Sequence, residues 1–112
     1  MYVVWTSIGR NNEKDIFFKG STNRGASFDN EKNLSNNPDR SENQEIAAFG
    51  KSAYVVWEDL SKPAVGVGKE DIFFRRIIDG GEKFDKTKDI SKTKGVSENP
   101  EIAAFGNNVF AA

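Results

Sequence analysis

The chain has no cysteine and no histidine, and these two absences remove more chemistry than any other feature of its composition. They exclude disulfide frameworks, thiolate nucleophiles, Cys/His zinc sites and histidine general bases. The absence of cysteine fits either redox compartment, because an extracellular protein need not contain disulfides. What remains for any site is carboxylate, Tyr, Lys and Ser/Thr chemistry.

An excess of positive charge and a long apolar run are also missing. The 16 Lys and Arg residues balance 17 Asp and Glu residues, so we expect neither nucleic acid nor membrane insertion. No window approaches the roughly 18 apolar residues of a membrane helix, and no signal peptide is present.

The length of 112 residues predicts a single domain. Because Met1 leads directly into the strand-like Tyr2-Val3-Val4-Trp5, we expect a segment of something longer.

An internal repeat organises the chain. Asp15-Ile16-Phe17-Phe18 recurs at 71–74, and the run from Ser41 to Gly50 recurs at 97–106, both at an offset of 56. Between residues 15 and 50, 18 of 36 positions match their partner. Tyr2-Val3-Val4-Trp5 recurs at 54–57, so the second copy has four extra residues, which predict a surface loop around 63–68. Repeat 1 covers about 1–52, repeat 2 about 53–108, and the remainder begins a third unit.

Each copy predicts four strands, because short runs of Val, Ile, Phe, Tyr and Trp alternate with clusters of turn residues. Small side chains in the Ala-rich strand suit a crowded axis, whereas the Asp-Ile-Phe-Phe strand is apolar on both faces and must be covered on both. The sequence therefore predicts an all-β fold of two four-stranded antiparallel β-propeller blades in circularly permuted strand order. The strands are expected at 45–49 and 101–105, at 2–6 and 53–58, at 15–20 and 71–77, and from Phe28 to about Ser35 and Phe84 to about Ser91.

A turn motif lies between the third and fourth strands of each copy. An Asx side chain can bond to the backbone of its own turn, a Gly two residues later adopts positive φ at low cost, and an aromatic three further on can pack beneath the hairpin. Compared with the pattern Ser/Thr-x-Asp-x-Gly-x-x-aromatic, the first copy has Asn23 in place of the Asp, and the second copy has Ile77 in place of the Ser or Thr. The predicted structural turn residues are Ser21, Asn23, Gly25 and Phe28 in the first copy, and Asp79, Gly81 and Phe84 in the second.

These motifs resemble the Asp-box, or BNR, repeat of sialidase-like β-propellers, and the whole chain is similar to tandem propeller repeats of predicted archaeal surface proteins. The resemblance implies a cell-surface or secreted protein, and turns that mark architecture without touching substrate. Sialidases use an arginine triad, a Tyr nucleophile with a Glu partner, and an Asp acid/base. That set cannot be placed on this sequence, because the arginines are scattered and Tyr2 and Tyr54 are repeated. We therefore predict no catalytic residues. The arginines are Arg10, Arg24, Arg40, Arg75 and Arg76.

The repeated carboxylates have two interpretations. Glu42, Glu45, Glu98 and Glu101 lie near the innermost strands, where they form either a ring for a cation or sugar hydroxyls, or hydrogen bonds repeated at each strand entry. Repetition favours the second interpretation, and the same holds for Asp15 and Asp71. No calcium-loop spacing is present, so neither a metal nor a cofactor is predicted. Asn33-Leu34-Ser35 is formally a glycosylation sequon.

Two blades expose large apolar faces, so further blades in cis or identical chains in trans are the expected partners. The leading functional hypothesis is a non-catalytic Asp-box propeller module that acts as a binding or structural element. One alternative is a fragment of a sialidase-like glycoside hydrolase whose catalytic residues lie elsewhere. Another is a glycan-binding ring formed by self-association, as one segment of an oligomeric ring.

Overall fold

The protein is all-β and its sheets are antiparallel, as the sequence predicted. The computed structural model describes residues 1–8, 12–36, 39–61, 69–91, 97–106 and 108–112. The predicted loop at 63–68 lies outside these residues. The strands are β1 (Tyr2–Ile8), β2 (Lys14–Gly20), β3 (Lys32–Asn33), β4 (Arg40–Phe49), β5 (Ser52–Ser61), β6 (Lys69–Ile78), β7 (Lys83–Phe84), β8 (Lys88–Asp89), β9 (Ile102–Phe105) and β10 (Asn108–Ala111), with one 3-10 turn at Asp79–Gly81.

The strands form three sheets. The first sheet has the order β1-β2-β3, the second β4-β5-β6 with both β7 and β8 on the far edge of β6, and the third pairs β9 with β10. Four strand positions are thus filled only in the second sheet, which corrects the expectation of two four-stranded sheets. The reason is local: Gly50, at φ 61°, closes a tight hairpin that joins the Ala-rich β4 to β5, so this strand belongs to the following sheet.

Most strand boundaries lie within about three residues of the prediction, and two regions differ more. β4 begins at Arg40, five residues before the predicted start, and a β-bulge between Glu42 and Glu45 interrupts its pairing with β5. The expected long strand from Phe28 is reduced to the two residues of β3, whereas its counterpart in the second copy is split into β7 and β8. Polar side chains occupy both regions, so hydrophobic alternation gave no signal there.

Each sheet has two chemically different faces, because successive side chains in a strand point to opposite sides. In the second sheet, Val55 and Trp57 lie on one side with Phe73, the register partner of Trp57. We call this the front face, and the side that carries Tyr54, Val56, Ile72 and Phe74 the back face. By the repeat, the front of the first sheet carries Val3, Trp5 and Phe17, and its back carries Tyr2, Val4, Ile16 and Phe18.

The core forms where the back of the first sheet meets the front of the second. Ile16 and Phe18 are buried there together with Val55 and Trp57, and Tyr2, Val4 and Phe73 pack around them. Leu34, which follows β3, is 1% exposed in the same cluster. The strand register places Ile16 and Phe18 on one face of β2 and Phe17 on the other, which confirms the prediction that this strand is apolar on both faces.

The third sheet continues the stack on the back of the second. β9 lies against β4 and β5, and Val56 on that back face is fully buried. Ile72 and Phe74, on the neighbouring β6, stay half-buried because the third sheet is only two strands wide. The three sheets are therefore stacked in one direction, each new sheet covering the back of the one before it.

Equivalent residues in the two copies differ in exposure according to whether a sheet covers them. Val55 is fully buried, but its counterpart Val3 is 41% exposed, and Leu34 is 1% exposed whereas its counterpart Ile90 is 45% exposed. Since each pair joins aliphatic residues of the same or similar size, the difference comes from position in the stack and not from the sequence of the unit.

A matched pair of truncations measures this difference. We expect Leu34→Ala to lower the free energy of unfolding by about 2–5 kcal/mol, because it opens a cavity in the core. Ile90→Ala, at the equivalent exposed position, should cost less than about 1 kcal/mol. Urea unfolding of both variants checks this, and equal losses would contradict the assignment of Leu34 to a covered interface.

Candidate functional site

The first predicted turn is closed by side-chain hydrogen bonds. The Ser21 hydroxyl accepts hydrogen bonds from the backbone N–H of Gly25 (2.9 Å) and of Asn23 (3.4 Å), and donates to Asn23 Oδ1 (2.9 Å). Asn23 Oδ1 also accepts from the N–H of Ser27 at 2.9 Å, and its amide nitrogen donates to the Ser27 hydroxyl. Gly25 has φ 88°, a conformation that favours glycine. The substituted Asn therefore makes the bonds for which a carboxylate was expected.

The second turn is built differently. Ile77 replaces the hydroxyl residue and lies buried in the core instead. Asp79 has φ 52°, and its carboxylate contacts Lys83 at 3.5 Å in an exposed ion pair. Gly81 has φ 104° and lies so close to the Phe18 ring that an added Cβ would stand 3.5 Å from it. The glycine at this turn thus serves both the backbone conformation and the packing between sheets.

The two aromatic residues of the motif have different surroundings. Phe84 packs edge-on against Phe18 of the first sheet, with ring centroids 5.9 Å apart, and Lys32 and Arg75 lie over its ring. Phe28, which was expected beneath its hairpin, is 41% exposed. Phe84 thus packs against a neighbouring sheet, whereas Phe28 keeps a larger exposed surface.

The repeated aspartates, Asp15 and Asp71, form hydrogen bonds with the serines that follow the short strands β3 and β8. Asp15 accepts a hydrogen bond from the Ser35 hydroxyl at 2.8 Å, and Ser35 accepts one from the N–H of Ile16. Asp71 and Ser91 repeat this arrangement, with a bond of 3.0 Å. The amide of Asn33 donates to Asp15, so the side chain of the formal glycosylation sequon is engaged within the fold.

A polar groove of about 570 Å³ lies beside the bulge of β4 and the residues that precede β9. It is shaped by two left-handed residues, Asn43 (φ 53°) and Asn99 (φ 54°), which are equivalent in the two copies. The buried carboxylate of Glu58 accepts hydrogen bonds from the amide of Asn43 and from the backbone N–H of Asn99, and so links the second sheet to the third. The groove is lined by Thr6, Lys14, Glu42, Asn43, Gln44, Glu45, Asn99, Pro100 and Glu101.

The charges of the groove are mixed. Glu42 is held by Lys14 at 3.0 Å and by Arg40 at 3.4 Å, whereas the side chains of Glu45 and Glu101 are exposed. The Thr6 hydroxyl donates to Gln44 at 2.6 Å and links the first sheet to the second. Such a set of hydroxyl, amide and carboxylate groups can bond to a neutral polyhydroxylated ligand. The described residues hold no group of three or more carboxylates able to bind a metal ion.

Tyr2 and Arg75 serve packing between the sheets. Tyr2 stacks on Phe18 with centroids 5.7 Å apart, and burial raises the pKa of its hydroxyl, which makes it a poorer nucleophile. Arg75 donates to the carbonyl oxygen of Leu34 in the first sheet at 2.8 Å, and burial lowers the pKa of its guanidinium. Both residues therefore belong to the interface between the sheets.

Comparisons with protein-family models, with curated proteins and with solved structures found no match to this chain. Within the described ranges, no helix is long and apolar enough to cross a membrane. The site is therefore interpreted from its own geometry.

The hydrogen bonds of the first turn can be tested by substitution at Asn23. Asn23→Ala removes the Oδ1 acceptor and the amide donor, and we expect a loss of about 1–2 kcal/mol in the free energy of unfolding. Asn23→Asp keeps the acceptor and should lose about half as much or less. Asp79→Asn, which removes only the exposed ion pair with Lys83, should cost less than about 0.5 kcal/mol. Chemical denaturation checks the ranking, and equal effects at Asn23 and Asp79 would contradict it.

Proposed function

We propose that this chain is a non-catalytic β-propeller repeat module that acts as a binding or structural element. In this proposal the second sheet is a complete blade, and the first and third sheets are parts of blades that further units complete. The observation that carries the proposal is the repeated contact of one sheet's back with the next sheet's front. A unit that buries its apolar face only against a neighbour is the defining property of a repeat architecture.

The turn motifs support the Asp-box resemblance in this proposal. Ser21, Asn23 and Gly25 form a self-contained hydrogen-bonded turn, and Gly81 with Phe84 packs the second turn onto the first sheet. Each contact stabilises architecture and leaves no side chain poised for chemistry. By the same resemblance we propose a location at the cell surface or outside the cell.

The described arginines support a module without catalysis. Arg40 pairs with Glu42 and Glu70, Arg75 bonds to the carbonyl oxygen of Leu34, and Arg76 pairs with Asp85. Arg24 lies in the exposed first turn, and Arg10 lies outside the described residues. These partners tie the arginines to separate parts of the sheets, whereas a sialidase-like site needs three of them around one carboxylate. A glycosidase fragment with its catalytic blades elsewhere remains the alternative.

The polar groove favours glycan binding as a second candidate function. Its hydroxyl, amide and carboxylate groups suit sugar hydroxyls, and its lining comes from three successive parts of the stack. A glycan array probed with the purified chain tests this candidate. Enrichment of a sugar class that is lost in Gln44→Ala but kept in Lys83→Ala would support it, and no enriched sugar would count against it.

A tandem protein tests the repeat-module proposal. The tandem protein consists of residues 1–108 followed directly by a second copy, residues 1–112. Met1 of the second copy then stands in the place of Val109, so the spacing across the join equals that between Phe49 and Ala53 in the first copy. We expect one cooperative unfolding transition with a higher midpoint than that of the single chain, because the join completes a sheet and adds an interface. Introducing Trp5→Ala in the second copy should remove most of the gain. An unchanged midpoint would mean that the chain is an independent domain.

A further inference from the structure

We propose that two copies of this chain dock head to tail, with the front of the first sheet of one copy on the back of the second sheet of the other. The inference rests on the proposed function, since it treats the sheets as interchangeable units. The occupant of the uncovered front of the first sheet, and of the part of the second sheet's back that the third sheet leaves open, is a second copy, because the contact would continue an interface that the chain already contains.

The two surfaces match the internal interface at six apolar positions, whereas Ser21 stands where the internal interface has Ile77. Inside the chain, a back face carrying Tyr2, Ile16 and Phe18 meets a front face carrying Val55, Trp57 and Phe73. The proposed contact would bring a back face with the same three residue types against a front face with the same three. Its residues are Tyr54, Ile72 and Phe74 on one copy, and Val3, Trp5 and Phe17 on the other.

The exposure of these residues is what an uncovered copy of the interface would show. Val3 and Phe28 on the front of the first sheet are each 41% exposed, and Ile90 beside the back of the second is 45% exposed. Trp5 and Phe17 stack on each other at 5.9 Å and stay half-buried. Contiguous apolar surface of this kind is typical of a protein interface.

Strand pairing supplies a second component. In the second sheet, β4 pairs with β5 so that Ile46 lies opposite Val55. The equivalent residues are Ile102 in β9 and Val3 in β1, and β1 forms an edge of the first sheet. β9 of one copy can therefore pair with β1 of the next in the same register, once β1 displaces the shorter β10. Pairing in this way turns a three-stranded sheet into a four-stranded one.

The polar contacts of the internal interface recur in part, since Lys19 stands where Arg75 donates to the carbonyl oxygen of Leu34. Lys32 donates to the carbonyl oxygen of Gly81 across the internal interface at 2.8 Å, and its counterpart Lys88 is conserved in the second copy. At one corner, however, Gly20 lies close to the carbonyl oxygen of Gly80, and the counterparts of these glycines are Arg76 and Arg24. The copy-to-copy interface therefore departs from the internal one at that corner.

Two charge variants at exposed positions test the docking. Val3→Glu blocks the front surface and Ile90→Glu blocks the back surface. In sedimentation velocity at about 100 μM, where an interface of micromolar affinity is populated, the unaltered chain should associate and each variant alone should stay monomeric. An equimolar mixture should form a 1:1 dimer, because each variant keeps the surface that the other lacks and the blocked ends stop growth. Ile8→Glu, at an exposed position outside both surfaces, should associate like the unaltered chain.

A disulfide trap tests the register, since the chain has no cysteine of its own. Mixing Val3→Cys with Ile102→Cys under mild oxidation should give a covalent heterodimer in several-fold excess over what either variant gives alone. Val3→Cys mixed with Lys83→Cys serves as the control and should give no excess.

These results separate the two proposals. A monomeric unaltered chain, or a mixture of Val3→Glu and Ile90→Glu that stays monomeric, would overturn the docking of two copies. A tandem protein stabilised as described above would still uphold the repeat module in that event. A tandem protein without stabilisation would overturn the module itself.

Discussion

The structure depends on the packing of one sheet's back against the next sheet's front. Ile16 and Phe18 on one side, and Val55 and Trp57 on the other, form the largest part of the buried core. The second sheet is apolar on both faces, and a neighbouring sheet on each side shields those faces from water. This constraint explains why the core lies between sheets.

Polar contacts set the direction and spacing of the stack. The buried carboxylate of Glu58 joins the bulge at Asn43 in its own sheet to the backbone of Asn99 in the next, and the pair of Thr6 and Gln44 stands at the same place one sheet earlier. Hydrophobic packing is not directional, whereas these hydrogen bonds are satisfied only when successive sheets keep one orientation. The left-handed asparagines thus have a structural role, because they turn the strand entry toward the neighbouring sheet.

Much of this fold could be predicted from the sequence, because duplication shows the unit and alternation shows its faces. The strand with Ile16 and Phe18 opposite Phe17 follows from period-two patterning alone. Three features could not be predicted. The start of β4 at Arg40 lies in a polar stretch, the exposure of Phe28 depends on which sheet covers it, and the bond from Glu58 to Asn99 joins residues 41 positions apart. Each depends on tertiary neighbours, which a local pattern does not contain. The turn at Asn23 was predictable because its bonds are local.

The similarity of the two copies has a consequence for recognition. A surface that evolved to bind a different protein would differ from the internal interface in shape and residue type. Here the uncovered front presents Val3 and Trp5 where the covered front presents Val55 and Trp57, which is the reason for proposing a back face as its partner. Departures occur at the rim, where Arg76 takes the place of Gly20, and also within the surface, where Ser21 takes the place of the buried Ile77. The same residues that make the core stable therefore also determine which unit can be added to it, and a change in the core alters both properties together.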